Sequence, residues 1–80
     1  MEQQVEATIV DLIVEITNGD RDLVLMETPL KKLGLDSIDR VDLALAIEEE
    51  TGVGIPDDKM EQFKTVDDIV DYVDKNLDRA

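Results

Sequence analysis

Eighty residues suffice for one small hydrophobic core and no second one, so residues 1–80 are expected to form a single domain. The chain has neither cysteine nor histidine, which removes disulfides, thiolate chemistry, the usual general base and the commonest metal ligand, and speaks against an enzyme. Its formal charge of −13, from 21 acidic and 8 basic residues, has the wrong sign for holding nucleic-acid phosphates.

Met1-Glu2-Gln3-Gln4 has no basic region or apolar run, so no secretory leader is expected, and no apolar stretch approaches membrane-spanning length. The expectation is a soluble, cytoplasmic monomer with no membrane insertion and no nucleic-acid partner. Its acids read equally as a solubilising surface or as a complement to basic partner proteins. Self-repulsion among them costs stability in either case. Added magnesium is therefore expected to raise the melting temperature, and a melting temperature that stays flat or falls contradicts this.

In residues 3–17, Val5, Ile9, Leu12, Ile13 and Ile16 recur at the spacing of one helix face, with Glu2, Glu6, Asp11 and Glu15 off that stripe. Several β-branched residues lower the intrinsic propensity, so packing must hold this helix. Asn18-Gly19 ends it, because both residues tolerate the left-handed position after a helix. Residues 20–36 are long for a connection. They include Leu23, Val24, Leu25, Met26, Leu30, Leu33 and Leu35, too apolar for a disordered linker. An ordered loop packed on the helices is expected, with a helical turn near residues 29–33 opened by Pro29. Asn18-Gly19-Asp20-Arg21-Asp22 lacks the glycine and terminal glutamate of a calcium loop at the required offsets, and no metal site is expected.

Leu33-Gly34-Leu35-Asp36-Ser37-Ile38-Asp39-Arg40-Val41 reads as a sharp turn feeding an amphipathic helix. Gly34 permits the turn. Asp36 suits the N-cap, with Asp39 placed to reach back in a capping-box-like pair. Ser37 then occupies the first helical position with its hydroxyl free of capping. The positive end of the helix beside it suits an attached phosphate. Taken alone, an Asp-Ser pair of this kind is usually just a cap.

The second helix is expected over 37–51. Ile38, Val41 and Leu45, with Ala44 and Ile47, form its apolar stripe, broadened by Leu43 and Ala46, while Asp39, Asp42 and Glu49 lie toward another side. Glu48, Glu49 and Glu50 crowd its last turns, where the macrodipole disfavours acids. Stability alone does not explain them, which tilts the reading of the acids toward a partner-binding face, with a solvated charge run as the alternative. Gly52 ends the helix, and Val53-Gly54-Ile55-Pro56 crosses in extended form. Asp58 and Glu61 fit a capping box opening a short third helix that runs to Gln62 or Phe63. Thr65 caps the last helix, with Asp68 three residues on. Val66, Ile69, Val70 and Val73 form its buried stripe, Tyr72 flanks it, and residues 76–80 are expected to fray. The fold class is all-α: a four-helix bundle of three long helices and one short, with a long ordered loop between the first two.

Leu33-Gly34-Leu35-Asp36-Ser37-Ile38, the acidic second helix, Ile55-Pro56-Asp57 and Thr65-Val66 together resemble an acyl carrier protein over essentially the whole chain. The resemblance implies that Ser37 carries covalent 4′-phosphopantetheine taken from coenzyme A, whose thiol holds acyl groups as thioesters. It implies that Asp36 helps a phosphopantetheinyl transferase recognise or coordinate the site. It further implies that Asp36, Asp39, Asp42, Glu48 and Glu49, with Ile38 and Val41, meet basic patches on acyl-transferring and synthase enzymes of fatty-acid, polyketide or related biosynthesis. The family buries its acyl chain in the helical core, for which Leu45, Ile47, Ile55, Met60 and Val70 are the candidate lining; each also reads as ordinary core. Arg40 interrupts the acidic face, and Thr51 and Phe63 depart from the family's usual residues. A specialised carrier fits as well as a general fatty-acid one.

Two other readings stay open: an acidic helical interaction module without a prosthetic group, and an aminoacyl or peptidyl carrier. A hydrolase using Ser37 lacks a base, with no histidine in the chain and no lysine adjoining the serine.

Overall fold

The computed structural model describes residues 2–77. Helix α1 spans Glu2–Thr17, α2 Ser37–Thr51, α3 Asp57–Gln62 and α4 Val66–Asn76, with 3-10 turns at Arg21–Leu23 and Leu30–Leu33 in the long connection between α1 and α2. The described chain is thus all-helical, with three long helices and one short.

The periodicity of α1 sets its packing. Val5, Ile9, Leu12 and Ile13 are buried as their spacing predicts, and Val10 joins them. This helix packs against both α2 and α4, and it ends on Asn18 in the left-handed region at φ 53°. On α4, all of Val66, Ile69, Val70 and Val73 are buried. Tyr72 flanks them, its ring tilted on that of Phe63 with centroids 5.6 Å apart.

The long connection is ordered because it serves α4. Leu30 N–H donates to the Lys64 carbonyl (2.8 Å), Val66 N–H to the Thr28 carbonyl (3.2 Å) and Asp67 N–H to the Met26 carbonyl (2.8 Å). A capping box completes the helix start. The Thr65 hydroxyl accepts from Asp68 N–H (3.3 Å), and the Asp68 carboxylate accepts from Thr65 N–H (3.2 Å). The four N–H groups that begin α4 are therefore all satisfied within the chain. Thr65→Ala is expected to cost about 1 kcal/mol in urea unfolding, and no measurable loss contradicts the cap.

The loop packs only in part. Val24, Leu30 and Leu35 are buried, but Leu23 and Leu25 point outward, because an irregular chain held down at alternate points turns the intervening side chains to solvent. Pro29 is the residue before the second 3-10 turn, in extended geometry, rather than its first residue.

Three expectations about the other helices are corrected. On α2 the core stripe is Leu43, Ala44 and Ile47, while Ile38 (72%), Val41 (49%) and Leu45 (56%) are exposed. The helix carries apolar residues on two faces, and packing against α1 and α3 selects the other one. Helix α3 starts at Asp57 behind Pro56, with Met60 N–H bonded to the Pro56 carbonyl (2.9 Å) and no side-chain cap. Asp58 therefore sits inside the first turn, where it still favours the helix through the dipole. At the C-terminal end, Asn76 remains helical and Leu77 is half-buried against the core; the expected fraying of 78–80 lies outside the described residues.

Candidate functional site

The turn before α2 is built to expose one residue pair. The 3-10 turn closes on Gly34 at φ 76°, where a side chain is strained. Leu35 N–H bonds back to the Leu30 carbonyl (3.4 Å), and Leu35 is buried. The chain then runs extended through Asp36, whose carboxylate accepts from Asp39 N–H (2.9 Å), and Arg40 N–H closes the first helical bond on the Asp36 carbonyl (3.0 Å). Only this half of the expected capping pair forms: among the described residues, no N–H donates to the Asp39 carboxylate. Ser37 emerges as the first residue of α2, exposed, its hydroxyl bonded to no described residue.

Two comparisons within the chain single this hydroxyl out. Ser37 is the only serine in the sequence, a signal legible there. Of the threonines, Thr17, Thr28, Thr51 and Thr65 already hydrogen-bond backbone groups. The start of α4 has every donor satisfied, whereas at α2 the Ser37 and Ile38 N–H groups meet no described acceptor.

Arg40 does something the sequence did not disclose. Its Nη1 donates to the carbonyls of Met60 (3.2 Å), Glu61 (3.3 Å) and Phe63 (3.1 Å). Those carbonyls end α3, a six-residue helix that has few internal bonds and needs partners for its last acceptors. Arg40 therefore ties α2 to α3 instead of interrupting an acidic face. Arg40→Ala is expected to lower stability by about 1.5–3 kcal/mol, the range for hydrogen bonds to a charged group. Urea denaturation checks this, and an unchanged midpoint contradicts it.

The opposite side of α2 is where the acids gather. By helical geometry Ile38, Val41, Asp42, Leu45, Glu48 and Glu49 share an arc roughly 120° wide, turned away from Leu43, Ala44 and Ile47. The exposed apolar residues thus stand among the acids rather than apart from them. Asp39 lies about 60° outside this arc, toward the buried face, and is half-buried. Asp42 and Glu49 also border a crevice of about 210 Å³ against α1.

This geometry can now be set beside known proteins. The family model "Phosphopantetheine attachment site" matches residues 7–73. Acyl carrier proteins of two Porphyromonas gingivalis strains, ATCC 33277 and W83, are 40% identical over 75 residues, covering 92% of this chain and 96% of each relative. The acyl carrier protein of Rickettsia canadensis (strain McKiel) is 34% identical over 71 residues, covering 88% of this chain and 83% of the relative. The chain belongs to the acyl carrier protein family.

Its prosthetic group is accordingly covalent 4′-phosphopantetheine, and the start of α2 fits that group. A free primary hydroxyl stands exposed at the first helical position, with two unbonded N–H groups at the positive end of a fifteen-residue helix. Among the candidates for an acyl lining in this carrier-family chain, Ile47, Ile55, Met60 and Val70 are buried. Leu45 is not, being half-exposed on the outer arc, and it is withdrawn from that set. No described helix is long and apolar enough to cross a membrane.

Proposed function

We propose that Ser37 is the attachment residue for phosphopantetheine and that the chain carries acyl groups to partner enzymes without catalysing their chemistry. When bound, the group supplies the thiol that this cysteine-free chain lacks and on which acyl groups are held as thioesters. The observation that carries the reading is the single serine, its hydroxyl free at the helix start while the neighbouring Asp36 takes over capping. Without a histidine in the chain, the base that takes the Ser37 proton comes from the transferase.

The outer arc of α2 is the docking surface in this reading. Asp42, Glu48 and Glu49 steer basic partner surfaces toward the serine. Exposed Ile38, Val41 and Leu45 supply the apolar contacts that long-range charge alone does not. Ile47, Ile55, Met60 and Val70 are the residues that would line space for a buried acyl chain, and fatty-acid or related acyl biosynthesis is the setting.

The test is intact mass after incubation with coenzyme A and a broad-specificity phosphopantetheinyl transferase. A gain of one phosphopantetheine supports the carrier reading. No gain would leave the acidic interaction module as the better account.

A further inference from the structure

The residues at the end of α3 help to close the core. Met60 is 1% exposed and Phe63 8%, in one cluster with the buried Ile47, Ile55 and Val70. Interiors packed in this way have few voids larger than a water molecule. An acyl chain of several methylenes therefore enters only if a wall moves, and α3 is the wall least held. It has six residues and no side-chain cap at its start, and α2 is the helix it packs against most. Segments with so few internal bonds and contacts open at lower free energy than the fold as a whole.

Arg40 is fastened to the residues of α3 that would have to move. Its Nη1 donates to the carbonyls of Met60 (3.2 Å) and Phe63 (3.1 Å), whose side chains fill the core, and to that of Glu61 between them (3.3 Å). One guanidinium nitrogen carries two hydrogens, so three acceptors share them and no single bond is strong. Lifting Met60 out of the core to make room also draws its carbonyl away from Arg40. The side-chain packing and the guanidinium tie are therefore kept or broken together.

We propose that Arg40 is a latch on α3 that sets which acyl groups enter the core. The proposal rests on the carrier reading with Ser37 as attachment point. Arg40 acts as a positioning residue, holding the backbone of α3 rather than touching the cargo. Short acyl groups such as acetyl leave the latch closed and stay outside. Longer chains gain from burial with every methylene, until the gain exceeds the cost of moving Met60 and breaking the three bonds. Arg40 shifts that crossover toward longer chains. It stands three residues after Ser37 on α2, so the latch lies close to the root of the arm.

The test loads wild type and Arg40→Ala from acetyl- or octanoyl-coenzyme A with a broad-specificity transferase, then follows thioester cleavage by hydroxylamine through intact mass. The octanoyl thioester is expected to be cleaved up to about tenfold more slowly in Arg40→Ala, the factor that lost bonds to a charged group give an opening equilibrium. The acetyl thioester is expected to be cleaved at one rate in both proteins. A variant that is merely less stable does not protect its cargo, so slower cleavage separates a latch from a structural tie. Amide hydrogen exchange at residues 60–62 is expected to quicken by a similar factor. Octanoyl cleavage as fast as in wild type or faster, equal slowing of both thioesters, or unchanged exchange in α3 overturns the latch and leaves the carrier reading standing. If circular dichroism shows Arg40→Ala unfolded, Arg40→Lys, which keeps the charge without the guanidinium fork, decides by the same comparison. Chains that gain no mass overturn the carrier reading and the latch with it.

Discussion

Ser37→Ala is expected to abolish loading completely while leaving the fold intact. The change removes one oxygen from an exposed residue that makes no side-chain bond within the described chain. The helix cap belongs to Asp36 and survives. Stability should therefore stay within about 0.5 kcal/mol, as for ordinary surface substitutions. Loading is expected to be all or none, because no other serine exists, four of the five threonine hydroxyls are committed to backbone groups, and the fifth, on Thr8, lies inside α1 rather than at a helix start. Circular dichroism and intact mass on the same sample separate the two effects. An alanine variant that still gains mass refutes the assignment.

The second large effect distinguishes the two apolar faces of α2. Leu43 is fully buried, whereas Leu45 is 56% exposed. Leu43→Ala opens a cavity in the core and is expected to cost about 2–5 kcal/mol. That is a large share of the total for a chain of this size, on the order of 4–12 kcal/mol. Leu45→Ala should cost less than about 0.5 kcal/mol and instead weaken docking of partner enzymes. Urea unfolding of the two variants gives the comparison directly. Equal losses, or a larger loss for Leu45→Ala, contradict the orientation of the helix.

The contrast also explains what the sequence could disclose. Helices α1 and α4 carry one apolar stripe each, and reading their spacing is enough to find Ile9, Ile13, Ile69 and Val73 in the core. Thr65 and Asp68 announce their capping box because the interaction is local. Helix α2 carries two apolar faces, and only its neighbours α1 and α3 decide between them. Periodicity within one helix contains no such information, which is why its spacing alone places Leu45 in the interior. The same limit applies to Arg40, whose acceptors lie 20 to 23 residues away. Local spacing shows a basic residue in an acidic stretch; only the approach of α3 shows what it holds.

At the candidate site the local signals were sufficient. Asp36 caps, Ser37 stands free, and Gly34 turns the chain, all within one short segment. What needed the fold was the surroundings: the tie from Arg40 to the end of α3 and the grouping of Ile38, Val41 and Leu45 with the acids.

The carrier role depends most on one oxygen atom, the Ser37 hydroxyl. Tandem mass spectrometry of the loaded protein, fragmented between Gly34 and Arg40, locates the added phosphopantetheine directly. The account predicts the full added mass on Ser37 and none elsewhere. Added mass on a threonine or tyrosine, or none on any fragment of a correctly folded chain, contradicts it.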